Sequence, residues 1–543
     1  MMSFFTLKFL DRLGWLSNIY SYKKYIQHNN SFFKQNLKNK NRSIVLLELN
    51  NLHSAHIAYS YLANTLAKKY SARIGTYLPS SQNTCLKNFI YLFKYFFNLQ
   101  EISIYRSFGT NFFFRIRITR SHKIKAKKYF SEIIQNLNTK QDVENLKINN
   151  VWVGDLFYDS YLRRYSKPTI ELNTVEFSDY LLNSLGEFVF WEEYFNANNI
   201  AAINVSHCVY NLAIPLRIAI SRDIPAFQAN VSHLYRLDKK NFFAYNDFLY
   251  FKEIFASFSS TKKHDLLITA KSKIERRFLG EVGVDMPYSK KSAYSNNKLP
   301  PLLNKSNKIK ILIATHCFFD SPHSYGNNLF PDFYEWLNFL GGISESTDYD
   351  WYIKTHPDFL PGTKEVIENF LRMYPKFSLL PAEASHHQII EEGINYALTV
   401  YGTIAFEYAA LGVPVINCSL NNPHIAYNFN FHPKNISEYR ELLMNLNKLR
   451  LKIDLNEVYQ YYFMRNIYNT ENIFFDNLQE SIDSIGGYKK QFSSLIYKCW
   501  LMQWKNLKHN NICQGVENFI NSEDFRMTYE HFSKNSINEK IKL

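Results

Sequence analysis

The sequence predicts an α/β protein built from two parallel-sheet halves facing across a cleft, with a helical tail. Three observations predict it. Short apolar runs rich in β-branched residues alternate with stretches of helical periodicity from residue 43 onward. A segment rich in Pro, Ser, Asn and Lys, DMPYSKKSAYSNNKLPPLLNKSNK (285–308), splits that alternation into two series. From 436 onward the strand signal gives way to helical pattern, clearest in EYRELLMNLNKLRLKI.

In chain order, residues 1–42 read as a basic leader, with eight Lys or Arg against the single Asp11. The first half, 43–284, opens with the strand-like SIVLLELN (43–50), the helical NLHSAHIAYSYLANTLAKKY and a second strand, ARIGTYLP. NNVWVG (149–154) and AAINVS (201–206) are further strand candidates, each followed by a helical pattern. After the 285–308 linker, the second half (309–435) runs IKILIAT, DFYEWLNFLGGI, DWYIKTH, KEVIENFLRMY, FSLLP, HHQIIEEG, YALTVYG, TIAFEYAALG, VPVIN. This is the rhythm of a doubly wound sheet. Two Rossmann-like halves, a linker near 300 and a helical tail (436–543) that could return to the first half together describe a GT-B-like architecture.

Bulk composition narrows the partners. At 543 residues the chain holds two or three domains, and its net charge of +15 favours anionic partners. The six cysteines form no CxxC pair, so neither a zinc site nor a disulfide framework is suggested and a reduced cytoplasm is the simplest compartment. Lys8, Asp11 and Arg12 break the apolar run of the N-terminus, which does not fit a signal peptide, and no window has the length of a spanning segment. The N-terminus and FIYLFKYFF (89–97) could lie on a membrane surface; the alternative for the second is a buried helix with a lysine at its edge. YRSFGTNFFFRIRITRSHKIKAKK (105–128) mixes aromatics with cations but contains no nucleic-acid motif, and reads as an acceptor-polymer or membrane-proximal surface.

Two motifs carry the chemistry. IKTHPDF (353–359) ends a strand, which places His356 at the lip of the cleft as a donor to a phosphate oxygen, with Pro357 fixing the turn. Lys354 adds charge there or faces a neighbouring helix. In TVYGTIAFEYAALGVPVIN a strand ends at a Tyr401–Gly402 turn and a helix follows. Gly402 lets backbone approach a ligand, Thr403 caps the helix or bonds a phosphate, and Glu407, one turn on, is placed for ribose hydroxyls. Alone, an HP pair is a strand-end turn and a GT pair a helix cap. Their order and spacing point to a nucleotide site.

Residues 309–435 resemble the bacterial capsule and surface polysaccharide biosynthesis proteins, which carry a K-x-HP element and a later G-T/S…E…G-x-P element. The HP and Ser/Thr arrangement is similar to that of bacterial sialyltransferases and Kdo transferases. That resemblance implies a GT-B glycosyltransferase using a nucleotide-sugar donor, in which His356 and Thr403 contact the donor phosphate and Glu407 the ribose. The donor is then a substrate, with no cofactor and no metal.

Other polar groups are weighed beside these. His316 follows the first strand of the second half and, with Asp320 and His323, could line the donor or acceptor site; Asp332 and Glu335 begin the next helix. A catalytic base from the first half is expected among Asp155, Asp159 and His207, with Asp155 and His207 first because each directly follows its strand. Arg163, Arg164 and Arg217 could neutralise an acidic sugar, but single arginines on helices are usually surface residues. The expectation is a cytoplasmic or inner-leaflet peripheral enzyme passing a sugar to a capsule or lipid-linked glycan, without nucleic acid. Alternatives are a CDP-alcohol phosphotransferase and a non-catalytic glycan-assembly protein.

Overall fold

The structure, a computed structural model, describes residues 20–33, 42–79, 85–284, 292–295, 298–355, 361–468, 473–504 and 506–532. The opening apolar run folds as β1 (Ile44–Glu48), buried at every position, and ARIGTYLP as β2 (Arg73–Leu78). Within the basic stretch 105–128, TNFFFR forms β3 (Thr110–Arg115) at the sheet edge, and the cations that follow lie in the connecting loop (Arg117) and on the helix Arg120–Ile133. NNVWVG does not join this sheet. It supplies only β5 (Val151–Trp152) of a hairpin with β4 (Lys147–Ile148), because Gly154 already starts a helix and sits so close to the preceding chain that a Cβ would meet Val143 O at 2.1 Å. AAINVS gives β6 (Ile200–Val205), followed by β7 (Ala226–Ala229) and β8 (Leu234–Leu237). The sheet order is β3-β2-β1-β6-β7-β8, parallel except for the β7–β8 pair.

The second series builds its own sheet. β9 (Lys310–Ala314), β10 (Asp350–Lys354), β11 (Phe377–Leu379), β12 (Tyr396–Thr399) and β13 (Val415–Asn417) are all parallel, in the order β11-β10-β9-β12-β13. In both sheets the winding direction reverses beside the first strand, between β1 and β6 and between β9 and β12. Loops leave in opposite directions at such a point and open a crevice beyond the carboxyl ends, where ligands of open α/β sheets bind.

Strand alternation sorts the first sheet's side chains into two cores. Leu46, Ile203 and Val205 face the helix Val175–Ala197, whereas Val45, Leu47 and Ala202 face the helix Ala55–Lys69. That second helix is buried nearly all round because residues 473–532 lie over its outer side: Ile473, Phe474, Tyr497, Trp500 and Val516 belong to the same apolar cluster. The backbone of 525–527 then pairs with β8, through Arg236 N to Phe525 O at 2.8 Å and Met527 N to Leu234 O at 2.9 Å. The described part of the expected linker is packed, not free. Leu303 is buried against the second sheet, and Glu392 accepts from the amides of Leu302 and Leu303 at 2.8 and 2.7 Å.

Candidate functional site

At the second switch point β9 runs out through Thr315 and His316, while β12 ends at Thr399 and turns through Val400, Tyr401 and Gly402 into the helix Ile404–Ala410. The His316 imidazole closes this junction. Its Nε2 lies 3.1 Å from Thr399 Oγ1 and accepts from the backbone N–H groups of Val400 (3.3 Å) and Tyr401 (3.4 Å). Two N–H donors on one ring nitrogen assign the lone pair to Nε2, so the neutral ring carries its proton on Nδ1. The ring stacks on Phe333 at 4.6 Å and leans on Tyr401 at 4.7 Å, which fixes its plane.

Gly402 is required by a close approach, and the approaching group is Thr399. The Gly402 amide donates to Thr399 Oγ1 at 3.1 Å, and a Cβ on Gly402 would stand 2.8 Å from that oxygen. Thr403 occupies the N-cap position in helical conformation with no side-chain capping hydrogen bond, so the helix does not use its partly exposed hydroxyl. Glu407 is 3% exposed and both oxygens are engaged: Arg277 Nη2 lies 2.5 Å from Oε1 and Tyr294 donates to Oε2 at 2.6 Å. Burial pushes its pKa up, but Arg277, Tyr294 and His386 outweigh burial and hold it below the ordinary value. A ribose would have to displace one of these partners. Lys354 ends β10 with its Nζ donating to Ala382 O at 3.1 Å, on the side of the chain that follows β11, and burial lowers its pKa to about 8. His356 and Pro357 lie outside the described residues.

Of the first-half candidates, only His207 is exposed at a switch point. It follows Ser206 at the end of β6, with Nδ1 3.4 Å from the Tyr245 hydroxyl. The surrounding protein lowers its pKa, and the Asp320 carboxylate of the second half pulls the other way. Asp320 Oδ1 accepts from the Tyr210 hydroxyl and from Ser321 N at 3.0 Å; Tyr401 in turn donates to Ser321 O at 3.1 Å. A hydrogen-bonded chain therefore runs from Asp320 through Ser321 and Tyr401 to His316, and Asp320 reaches His207 at the end of β6 through its charge. Beneath it lies a group the sequence reading missed, Glu48 at the end of β1, which accepts from Ser206 N (2.9 Å) and Ser206 Oγ (2.6 Å) and is pushed up to about 7 by burial. The signal was one acid ending an otherwise apolar strand.

Asp155 is elsewhere. It is 1% exposed, with Arg217 Nη2 2.5 Å from Oδ2 and Nη1 3.3 Å from Oδ1. Arg217 is likewise buried, its guanidinium lying 4.6, 4.9 and 5.2 Å from the rings of Trp152, Phe242 and Phe243. The pair is an internal bracket rather than a base and a surface cation. Because a planar fork makes both contacts, Arg217→Lys is expected to cost on the order of 2 kcal/mol despite keeping the charge, read as a lower urea midpoint. Arg163 and Arg164 do lie exposed, at the end of the helix Gly154–Tyr165.

Asp159 and His323 meet where the halves join. His323 is fully buried, Nδ1 2.5 Å from Asp159 Oδ1 and Nε2 3.2 Å from Glu144 Oε1. Nearby, Tyr158 donates to Asp332 Oδ2 at 2.5 Å and Lys140 reaches Glu335 Oε1 at 2.5 Å. Asp332 also caps its helix through the amides of Tyr334 and Glu335, and Glu335 sits in the first turn, where the sequence places both. The segment after β9 is thus at once the wall of the site and the seam between the halves.

No family model matches the chain, and no curated protein matches it. Among solved structures it is similar to the Thermosulfurimonas dismutans KpsC β-Kdo 2,4 transferase, at 12% identity over 49% of this chain and 79% of that one, with a TM-score of 0.31. It is also similar to the UDP-GlcNAc 2-epimerase of Neisseria meningitidis (10% identity, 85% of this chain, 100% of that one, TM-score 0.22) and to a glycosyltransferase of Rickettsia africae (11%, 78%, 94%, 0.22). Superpositions this loose carry no argument about chemistry, which has to come from the side chains.

Proposed function

We propose that this protein is a GT-B-like glycosyltransferase that moves a sugar from a nucleotide donor to a capsular or lipid-linked surface glycan. One observation supports the reading: the loop after β9 carries Asp320, which acts electrostatically on His207 of the first sheet, and is bonded through Ser321 to Tyr401 in the turn that leads into Gly402 and Thr403 of the second. On this reading the donor lies over the second sheet, with its phosphate at the Thr403 hydroxyl and the rim held by His316. His356 and Pro357 are assigned to the same side on the sequence pattern. His207, unprotonated at neutral pH, takes the proton of the acceptor hydroxyl as the glycosidic bond forms and the nucleotide leaves. Asp320 acts through His207, stabilising the imidazolium. No metal enters the scheme, and the acceptor glycan approaches from the first half in the cytoplasm.

The test is a donor panel. The purified protein is incubated with CMP-, CDP-, UDP- and GDP-sugars and a CDP-alcohol, with a surface glycan acceptor, and nucleotide release is measured. Release of CMP or a nucleoside diphosphate from a sugar donor is expected; release of CMP from the CDP-alcohol alone would make the protein a phosphotransferase, and no release at all would leave it a binder. Thr403→Ala is expected to weaken nucleotide binding by roughly 10- to 100-fold in calorimetry, the scale of one hydrogen bond to a charged group.

A further inference from the structure

The helix Cys85–Phe96 takes no part in the machinery above. Its inner side is fixed: Tyr91 is buried, the Arg106 guanidinium lies 5.0 Å from the Tyr95 ring, and Lys94 Nζ is 2.9 Å from Glu101 Oε2. Its outer side is bare. Leu92, Phe93, Phe96, Phe97 and Leu99 are 36, 49, 75, 64 and 40% exposed, and the rings of Phe93 and Phe97 pack on each other at 4.6 Å. Positions 92, 93, 96 and 97 share one face at helical spacing, so these side chains form a single patch of the kind that marks an interaction surface.

Charge tells what covers it. Residues 85–100 contain no Asp or Glu, and Glu101 is paired with Lys94. The helix over 20–32 packs on the same neighbour, Gln100–Ser107, through Asn29 Nδ2 to Ser107 Oγ at 3.0 Å. It too lacks any acid, and it exposes Lys23, Lys24 and Tyr20. Exposed aromatic rings on an acid-free segment, with exposed lysines on a helix sharing its neighbour, match the interfacial layer of an anionic bilayer, where rings sit at headgroup depth and lysines meet phosphates.

We propose that the patch of Leu92, Phe93, Phe96, Phe97 and Leu99, in an acid-free segment whose neighbouring helix exposes Lys23 and Lys24, docks the protein on an anionic lipid surface. The helix lies in the plane of that surface; no helix among the described residues is long and apolar enough to cross a membrane. This placement is independent of the transferase reading. The test is sedimentation of the full chain with phosphatidylcholine vesicles, with and without phosphatidylglycerol. Binding to the anionic vesicles alone is expected, with a drop of about tenfold or more in the variant Phe96→Ser/Phe97→Ser, whose melting temperature stays that of the wild type. A second reporter is Phe96→Trp, whose emission, read as a difference from the wild type, is expected to shift to the blue on adding the anionic vesicles. No sedimentation with either vesicle, equal sedimentation of the double variant, or an unshifted emission difference in Phe96→Trp overturns the proposal. So does a double variant that loses self-association in light scattering yet still binds vesicles, since the patch would then face a second copy of the chain.

Discussion

Replacing His207 with alanine is expected to lower kcat by about 10²- to 10⁴-fold, the span that general-base catalysis supplies, while nucleotide affinity in calorimetry stays unchanged. The split follows from position. His207 stands at the end of β6 in the first sheet, and the proposed donor elements belong to the second. Asp320→Asn is the finer probe, because Asp320 acts on the imidazole rather than on substrate. Its charge raises the His207 pKa against the lowering effect of the surroundings. Removing it should move the acidic limb of the kcat/KM profile to lower pH and reduce kcat, with the plateau reached earlier. A profile that keeps its acidic limb in place in Asp320→Asn would show that His207 is not the titrating base.

His323→Ala is expected to destabilise the protein by about 3–5 kcal/mol, the usual cost of taking one partner out of a buried charged cluster. Asp159 and Glu144 would be left facing each other without the imidazole between them. The pH dependence carries the signature. Burial works against the charge on His323, but Asp159 and Glu144 more than offset it, so the folded pKa stands well above the ordinary 6.5. Asp159, raised to about 6 by burial despite His323, is ionised at neutral pH and keeps the pair charged. A raised histidine pKa contributes stability fully below the unfolded value, and the contribution is lost as pH climbs through the folded one. The wild type should therefore lose stability from neutral into the alkaline range, and His323→Gln should show a flatter curve over that window. Parallel curves in thermal unfolding followed from about pH 6.5 to about pH 9 would mean the tie is uncharged.

The sheets were legible in the sequence wherever a strand is buried on both faces. IVLLE, KILIA and YALT need no tertiary context, because a parallel strand in the middle of a sheet has to be apolar along its whole length. NNVWVG misled for the converse reason: its apolar residues are buried in a two-residue hairpin against a helix, and nothing local distinguishes that from a sheet. The Tyr401–Gly402–Thr403 turn was found from a glycine before a helix, although the crowding that requires Gly402 comes from Thr399, three residues back. Asp155 and Glu407 illustrate the limit. An acid just after a strand or on a helix face reads the same whether a substrate or a buried arginine meets it. The partners Arg217 and Arg277 lie 62 and 130 residues away in the chain. Only Asp320 and His323 were close to visible, as polar residues crowded into the loop after β9, and their roles became clear once Tyr210 and Asp159 were beside them.

The packing of residues 473–532 over the helix Ala55–Lys69 has a bearing on how the molecule is made. A ribosome releases that helix hundreds of residues before the segment that shelters it, and domains generally begin to fold as they emerge. Until then the flank bearing Tyr61 and Leu66 is covered only from the side of Phe33, and the edge of β8 waits for Arg526 and its neighbours. The helix Ala55–Lys69 therefore completes its packing only once residues 473–532 are made, and a chain ending before residue 473 would carry an open apolar flank.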